Sequence, residues 1–234
     1  KFDDWKEKFD VIFHLAALAR IQPSIKSPSE TIKNNFDGTL NVLEYARKKN
    51  TPVIYAGSSS KHHGLYGSPY AWSKYGGEEL CKLYSEIYDL NTTICRFYNV
   101  YGSHHIRSGT YATVIGIFEN QYLNGNPLTI VGDGKQKRDF TYIDDIVEGI
   151  IKTLDNPANG NLDWNSNQPD PATSTAPWRI YNIGNNKPVK LMDYIHALEK
   201  ILGKKAKINF LPLQPGDVPD TYANVDNLKK NFNY

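Results

Sequence analysis

The sequence predicts a doubly wound α/β fold, a parallel sheet with helices on both faces, carrying a smaller C-terminal lobe. Three observations support this. Strand-like and helix-like periodicities alternate from the start of the chain. The runs VIFHLAA and PVIYAG are almost wholly apolar, as strands covered on both faces are. The 234 residues, 40% apolar and 22% charged, belong to the globular class and are enough for one large domain with a lobe.

Strands are expected at residues 10–17, 52–57, 92–99, 128–131 and 179–184, where β-branched and aromatic residues cluster. Helical spacing links Ile32, Phe36, Leu40 and Leu43, then Leu80, Tyr84, Ile87 and Tyr88, then Ile143, Ile146, Val147, Ile150, Ile151 and Leu154. From about Asn156 the run NPANGNLDWNSNQPDPATSTAP has no apolar period and reads as a long loop. After the strand RIYNIG, a helix is expected on Leu191, Tyr194, Ile195, Leu198, Ile201 and Leu202, closed by Gly203, with a strand near 207–211. The core is placed at residues 1–103 and the lobe at 104–234, with 141–155 and 179–184 returning to the core.

Lys and Arg number 27 against 25 Asp and Glu, a formal +2 without a basic run, so charge makes no case for nucleic acid or an anionic membrane. No apolar stretch approaches the roughly 20 residues needed to span a bilayer, and the expectation is a soluble, cytoplasmic protein. Two cysteines, Cys81 and Cys95, exclude a disulfide framework. The pairs His62-His63 and His104-His105 lack metal-ligand spacing, so no metal is expected.

Chemistry concentrates in two places. In SPYAWSKYGGEELCKLY, Tyr70 and Lys74 stand four apart, one helical turn on one face. An ammonium near a phenol stabilises the phenolate and makes the tyrosine a usable base. The serines 58–60 follow the strand PVIYAG, at the strand end that lines the ligand crevice of an open α/β sheet.

In these motifs the chain resembles the extended short-chain dehydrogenase/reductase family, in particular its nucleotide-sugar epimerases and dehydratases. The matching phrases run in order: HLAA from His14, NNFDGTLNVLE from Asn34, SSS at 58–60, YAWSK, RFYNVYG from Arg96, GDGKQKRDFTYIDDIV from Gly132, and RIYNIG. The closing phrases APWRIYNIGNNKPVKLMDYI and LPLQPGDVPDTYANVDNL are more narrowly similar to bacterial UDP-glucuronate 4-epimerases. The resemblance implies a Rossmann-like, dinucleotide-binding core, a substrate-binding lobe and NAD as cofactor. It makes Tyr70 the base, Lys74 its partner and a ligand of the nicotinamide ribose, and Ser59 the hydroxyl bridging to the sugar. It sets Leu15, Ala16, Ala17, Ser58 and Tyr98 along the dinucleotide. Ser60, Asn99, Arg107, Arg138, Gln214 and Asp217 fall to the nucleotide sugar, a UDP-sugar. A homodimer is also implied, through the helices beginning near Ser29 and Tyr70.

The chain departs from the family pattern in places. No glycine-rich turn for the dinucleotide pyrophosphate precedes HLAA and the sole methionine is Met192, so the first βαβ portion is expected to be missing from this chain. Ser59 and Tyr70 are separated by only eleven positions, a short span for a sugar epimerase, and Ser60-Lys61 stands where a dehydratase has its acid pair. Asn99 replaces the threonine of the glucuronate enzymes, whereas Gln214 fits them. The expected activity is C4 epimerisation through a 4-keto sugar, of UDP-glucuronate or UDP-glucose type. Decarboxylation, dehydration and a non-catalytic relative are the alternatives.

Overall fold

The computed structural model describes residues 5–234. The first part of the chain runs β1 (Ile12–His14), α1 (Ile21–Lys26), α2 (Pro28–Ile32), a π-helical turn (Lys33–Asp37), α3 (Gly38–Lys49), β2 (Val53–Ser58), a 3-10 turn (Ser59–His63), α4 (Pro69–Tyr88) and β3 (Thr92–Phe97). Then follow β4 (Val100–Tyr101), α5 (Val114–Leu123), β5 (Leu128–Val131), β6 (Lys137–Arg138), β7 (Thr141–Tyr142) and α6 (Ile143–Asp155). The chain continues through β8 (Trp178–Ile183), β9 (Val189–Lys190), α7 (Leu191–Leu202), β10 (Ile208–Leu211) and α8 (Asp226–Phe232).

Strands β1, β2, β3 and β8 form one sheet in that order, and every neighbouring pair is parallel. Parallel neighbours need crossover connections, which α1–α3 and α4 supply. Alternation along the strands separates two cores. Val53, Tyr55, Ile94 and Ile180 join Leu43, Cys81, Tyr84 and Trp178 under α3 and α4. Ile54, Cys95, Tyr181 and Ile183 pack with Ile146 of α6 and Leu228 of α8 on the other face. This is the doubly wound arrangement expected, and Ile143–Asp155 and Trp178–Ile183 lie on the sheet. A separate cluster of Phe118, Leu128, Ile130, Leu191 and Ile195 holds α5 and α7 to the parallel pair β5–β10.

Several expected elements differ. The first strand ends at His14, where its register with Tyr55 of β2 stops, and Leu15 turns outward, 54% exposed. The third stops at Phe97 because Asn99 takes a left-handed backbone, φ 38°. Helices α1, α5 and α8 were not legible as periodic segments, and the helix expected to begin near Ser29 runs as α2, the π-helical turn and α3. On α4 the inward face is Lys74, Gly77, Glu78, Cys81, Tyr84 and Ser85, so Cys81 belongs to the core, while Ile87 and Leu83 face outward. The run of residues 156–177 has no regular element longer than a bridge, but Asn161 N donates to Ser174 O at 2.7 Å and ties its limbs together.

Candidate active site

Helix α4 begins where it does because Ser68 caps it, its Oγ accepting from Ala71 N at 3.1 Å, with Pro69 in the first turn. That start sets Tyr70 in the first turn, where its backbone N–H donates to Ser24 Oγ at 3.2 Å. The Tyr70 hydroxyl donates to Ser58 Oγ at 3.4 Å. Ser58 Oγ also lies 2.9 Å from Ser60 Oγ and accepts from Ser60 N at 3.2 Å, which caps the 3-10 turn. The hydroxyl brought to Tyr70 is thus Ser58's, one position before the expected Ser59. Because Ser58 is the last residue of β2, its side chain points where the sheet aims it, and Ser59 has already entered the turn.

Lys74 is 4% exposed, and its Nζ lies 4.1 Å from the centroid of the Tyr55 ring. Burial lowers its pKa to about 8, with Glu78 one turn along and Cys81 opposing. Burial pushes the Tyr70 phenol up; the Ser58 hydrogen bond and then the Arg20 guanidinium pull it back. Arg20 thus joins Ser58 in favouring the phenolate, while the Lys74 ammonium rests on the Tyr55 ring. Nothing about a loop residue between a strand and a short helix marked Arg20 in the sequence. Its Nε donates to Thr110 O at 3.4 Å, and it lines a cavity of about 430 Å³ with Gln22, Lys26 and Tyr111.

Asn35, in the π-helical turn, is a second residue missed. Its Oδ1 accepts from Leu18 N at 2.7 Å, and its Nδ2 donates to Ser73 Oγ at 3.0 Å and Leu18 O at 3.2 Å. One buried amide thus clamps the segment after β1 to α4, and π-helical insertions recur at functional sites. Next to it, His14 Nε2 pairs with Thr39 Oγ1 at 2.9 Å, and burial, followed by the charge of Lys74, lowers the imidazole pKa to about 4.

The nucleotide-side candidates meet in the lobe. Asn99 Nδ2 donates to Asp139 O at 3.1 Å and Thr221 Oγ1 at 2.7 Å. Arg138 Nη1 donates to Lys137 O at 2.8 Å and Pro219 O at 3.1 Å; burial lowers its pKa while Asp217 and Asp220 raise it. Asp217 Oδ2 accepts from Gln214 N at 3.1 Å. The segment carrying Gln214 and Asp217 reaches the catalytic side, since Gln22 Nε2 donates to Pro215 O at 2.8 Å. Arg107 stands apart: it is paired with Glu119 of α5, Nε to Oε2 at 3.2 Å, beside His105 on the same carboxylate at 3.1 Å. Asp139, not among the candidate site residues, is wholly buried, and its carboxylate accepts from the backbone N–H of Asn186, Lys187 and Ala223.

Toward the end of β1, Leu15 and Ala16 are exposed and Ala17 is half-buried, so the backbone there is open to close approach. Tyr98 is 2% exposed, packed with Ala223 and Val225. Among the described residues no three His, Cys, Asp or Glu side chains form a metal-binding group, and no helix is long and apolar enough to cross a membrane.

Comparison with known proteins matches residues 5–184 to the model of the NAD dependent epimerase/dehydratase family. Protein CapI of Staphylococcus aureus is 38% identical over 252 aligned positions, covering 100% of this chain and 74% of that protein. A probable UDP-glucuronate 4-epimerase of Rhizobium meliloti is 34% identical, covering 94% of this chain and 68% of that protein. The crystal structure of the UDP-glucuronic acid 4-epimerase of Bacillus cereus, in complex with UDP-glucuronic acid and NAD, superposes with a TM-score of 0.80 at 29% identity. It covers 97% of this chain and 70% of that one.

Proposed function

The chain belongs to the NAD-dependent epimerase/dehydratase family, and on that premise we propose that it epimerises a UDP-sugar at C4, with UDP-glucuronate as the substrate. The observation that carries the reading is the Tyr70 hydroxyl on Ser58 Oγ at the carboxyl end of β2, with the Lys74 ammonium buried one turn along α4. The relatives named as UDP-glucuronate 4-epimerases support the choice of sugar.

NAD is the family's cofactor, and when bound it supplies a reversible hydride acceptor for C4. The residues present fit it: Leu15, Ala16 and Ala17 leave open backbone at the end of β1, and Lys74 offers a buried cation for a ribose hydroxyl. Tyr70 takes the C4 hydroxyl proton and returns it, and the serines 58–60 hold that hydroxyl in line. Arg20 supports the phenolate charge from the cavity side. Asn99, Arg138, Gln214 and Asp217 hold the nucleotide; in this reading Arg107 serves the sugar only after leaving Glu119. No acid pair stands beside Ser58 to expel water, which favours epimerisation over dehydration.

We also read the protein as a homodimer. The outward face of α4 forms a groove with Phe36, Leu80 and Leu83 between Glu79 and Glu86, and Trp72 and Ile87 extend it with exposed apolar surface.

The test is incubation of the full-length enzyme with UDP-glucuronate, UDP-glucose and their N-acetyl forms, with products read by NMR. UDP-galacturonate from UDP-glucuronate is the expected result. Loss of CO2 or a 4-keto-6-deoxy sugar overturns the epimerase reading, and turnover of UDP-glucose alone overturns the choice of sugar.

A further inference from the structure

Behind the catalytic pair lies an ion cluster that the reading above does not use. Glu78 is 1% exposed on α4, one turn beyond Lys74. Arg96 of β3 grips it with both ends of its guanidinium, Nε to Oε1 at 2.9 Å and Nη2 to Oε2 at 2.6 Å. Lys61, in the turn that carries the serines, sets Nζ 3.8 Å from Oε2 and 4.7 Å from the centroid of the Tyr75 ring. The pair crosses the backbone immediately before Ser58: a Cβ built on Gly57 would stand 2.8 Å from Glu78 Oε1 and 2.8 Å from Arg96 Cγ. Gly57 is the partner of Arg96 in the β2–β3 register. One carboxylate therefore touches the helix of the base, the end of the serine strand, the turn after it and the neighbouring strand.

A buried carboxylate needs charged partners of good geometry, and a bidentate guanidinium fixes direction as well as charge. Packing alone would be met as well by a leucine beside a valine. A four-element junction at the root of both catalytic groups does more, because displacement of a reacting group by about 1 Å costs roughly 10²-fold in rate. Resting on the epimerase reading, we propose that Glu78 is a positioning residue that, through Arg96 and Lys61, holds the serine-bearing turn in register with the helix carrying Tyr70 and Lys74.

The same carboxylate acts on Lys74 by charge, raising a pKa that burial lowers. The other groups facing that ammonium are the Tyr55 ring from β2, His14 from β1, and Cys81 on its own helix. Loss of the Glu78 charge leaves burial less opposed, so Lys74 would give up its proton at lower pH. A purely structural role would not move that limb of the rate profile.

The test compares full-length wild type with Glu78→Gln, Glu78→Asp and Lys61→Met, using UDP-glucuronate. Glu78→Gln should lower kcat roughly tenfold or more while KM stays within about twofold, and should shift the alkaline limb to lower pH. Glu78→Asp should return the limb to its place. Lys61→Met leaves the Glu78–Arg96 pair intact; it should lower kcat several-fold and speed amide exchange over Ser59–His63. A folded Glu78→Gln enzyme with wild-type kcat and an unmoved limb overturns the proposal. If Glu78→Gln does not fold, Lys61→Met decides: wild-type kcat and exchange overturn it. If wild type turns over no nucleotide sugar, the epimerase reading falls, and amide exchange in Lys61→Met still decides the positioning, faster exchange supporting it and unchanged exchange sinking it.

Discussion

Lys74 Nζ stands 4.1 Å from the centroid of the Tyr55 ring, with Tyr55 Oη donating back to Lys74 O at 3.3 Å, so the ammonium rests on an aromatic face. Such a face attracts a cation more strongly once water is gone. Desolvation still dominates, and the pKa of Lys74 falls to about 8. The charge that we assign to a ribose hydroxyl is consequently present at neutral pH but within reach of titration.

The alkaline limb of activity follows. Above pH of about 8 the ammonium loses its proton, and the rate should fall with pH from there. Lys74→Arg keeps its charge far above that pH and should remove the limb, at a lower overall rate because the planar guanidinium does not fit the ammonium's place. A pH–rate series on both proteins checks this; an unchanged limb in Lys74→Arg assigns it to another group.

The catalytic hydroxyls separate by mutation. Tyr70→Phe should lower turnover by about 10²-fold or more with NAD still bound, on the usual magnitude for a lost general base. Ser58→Ala, which removes the hydrogen bond to the phenol, should cost more than Ser59→Ala. The opposite ranking, measured as kcat at saturating sugar, restores Ser59 as the bridging residue.

The Tyr70–Ser58 contact marks where the sequence stopped being informative. Tyr70 and Lys74 were legible because helical spacing states which side chains share a face, and the same rule one turn further reaches Glu78. Ser58 against Ser59 was not, since three serines in a row carry no period and the choice depends on where β2 ends. Arg20 escaped for the same reason, sitting between β1 and α1 in a segment with no repeat. The sheet was legible from apolar runs, whereas α5 gathers its polar residues Glu119, Asn120 and Gln121 in one consecutive run, which leaves no helical period to read. Asp139 and Asn35 are hubs of backbone contacts between segments far apart in sequence, which no local pattern encodes.

Acid should destabilise the fold through His14. Its pKa is about 4 folded, against about 6.5 for a free imidazole, so between those values the unfolded chain binds the extra proton. The contribution is complete above pH of about 6.5 and is lost as pH falls toward 4, amounting to about 3 kcal/mol. Urea unfolding of wild type and His14→Gln at pH 7.5, 6 and 5 should show the stability gap between them narrowing with acid. Parallel curves would mean that the imidazole titrates alike in the folded and unfolded chain and carries no linkage.

The dimer reading makes the most demanding expectation. Leu83 is 47% exposed and Ile87 62%, yet both lie on a helix whose opposite side is fully used in the core. Leu83 also lines the groove flanked by Glu79 and Glu86, with Phe36 of the π-helical turn across it. A two-fold interface there is isologous, so one substitution is introduced twice at the same contact. Leu83→Glu would bury two carboxylates near the flanking acids of both copies, with no cation among the groove residues other than Lys82. Dimer dissociation should therefore strengthen by roughly 10²-fold or more, since each 1.4 kcal/mol is a factor of ten. In the monomer the same residue points to water, so the circular dichroism spectrum and the thermal midpoint of the isolated chain should hold. Sedimentation velocity of full-length protein at micromolar concentration reads both states: a wild-type dimer with a Leu83→Glu monomer is expected, and a wild-type monomer before any mutation removes the interface from α4.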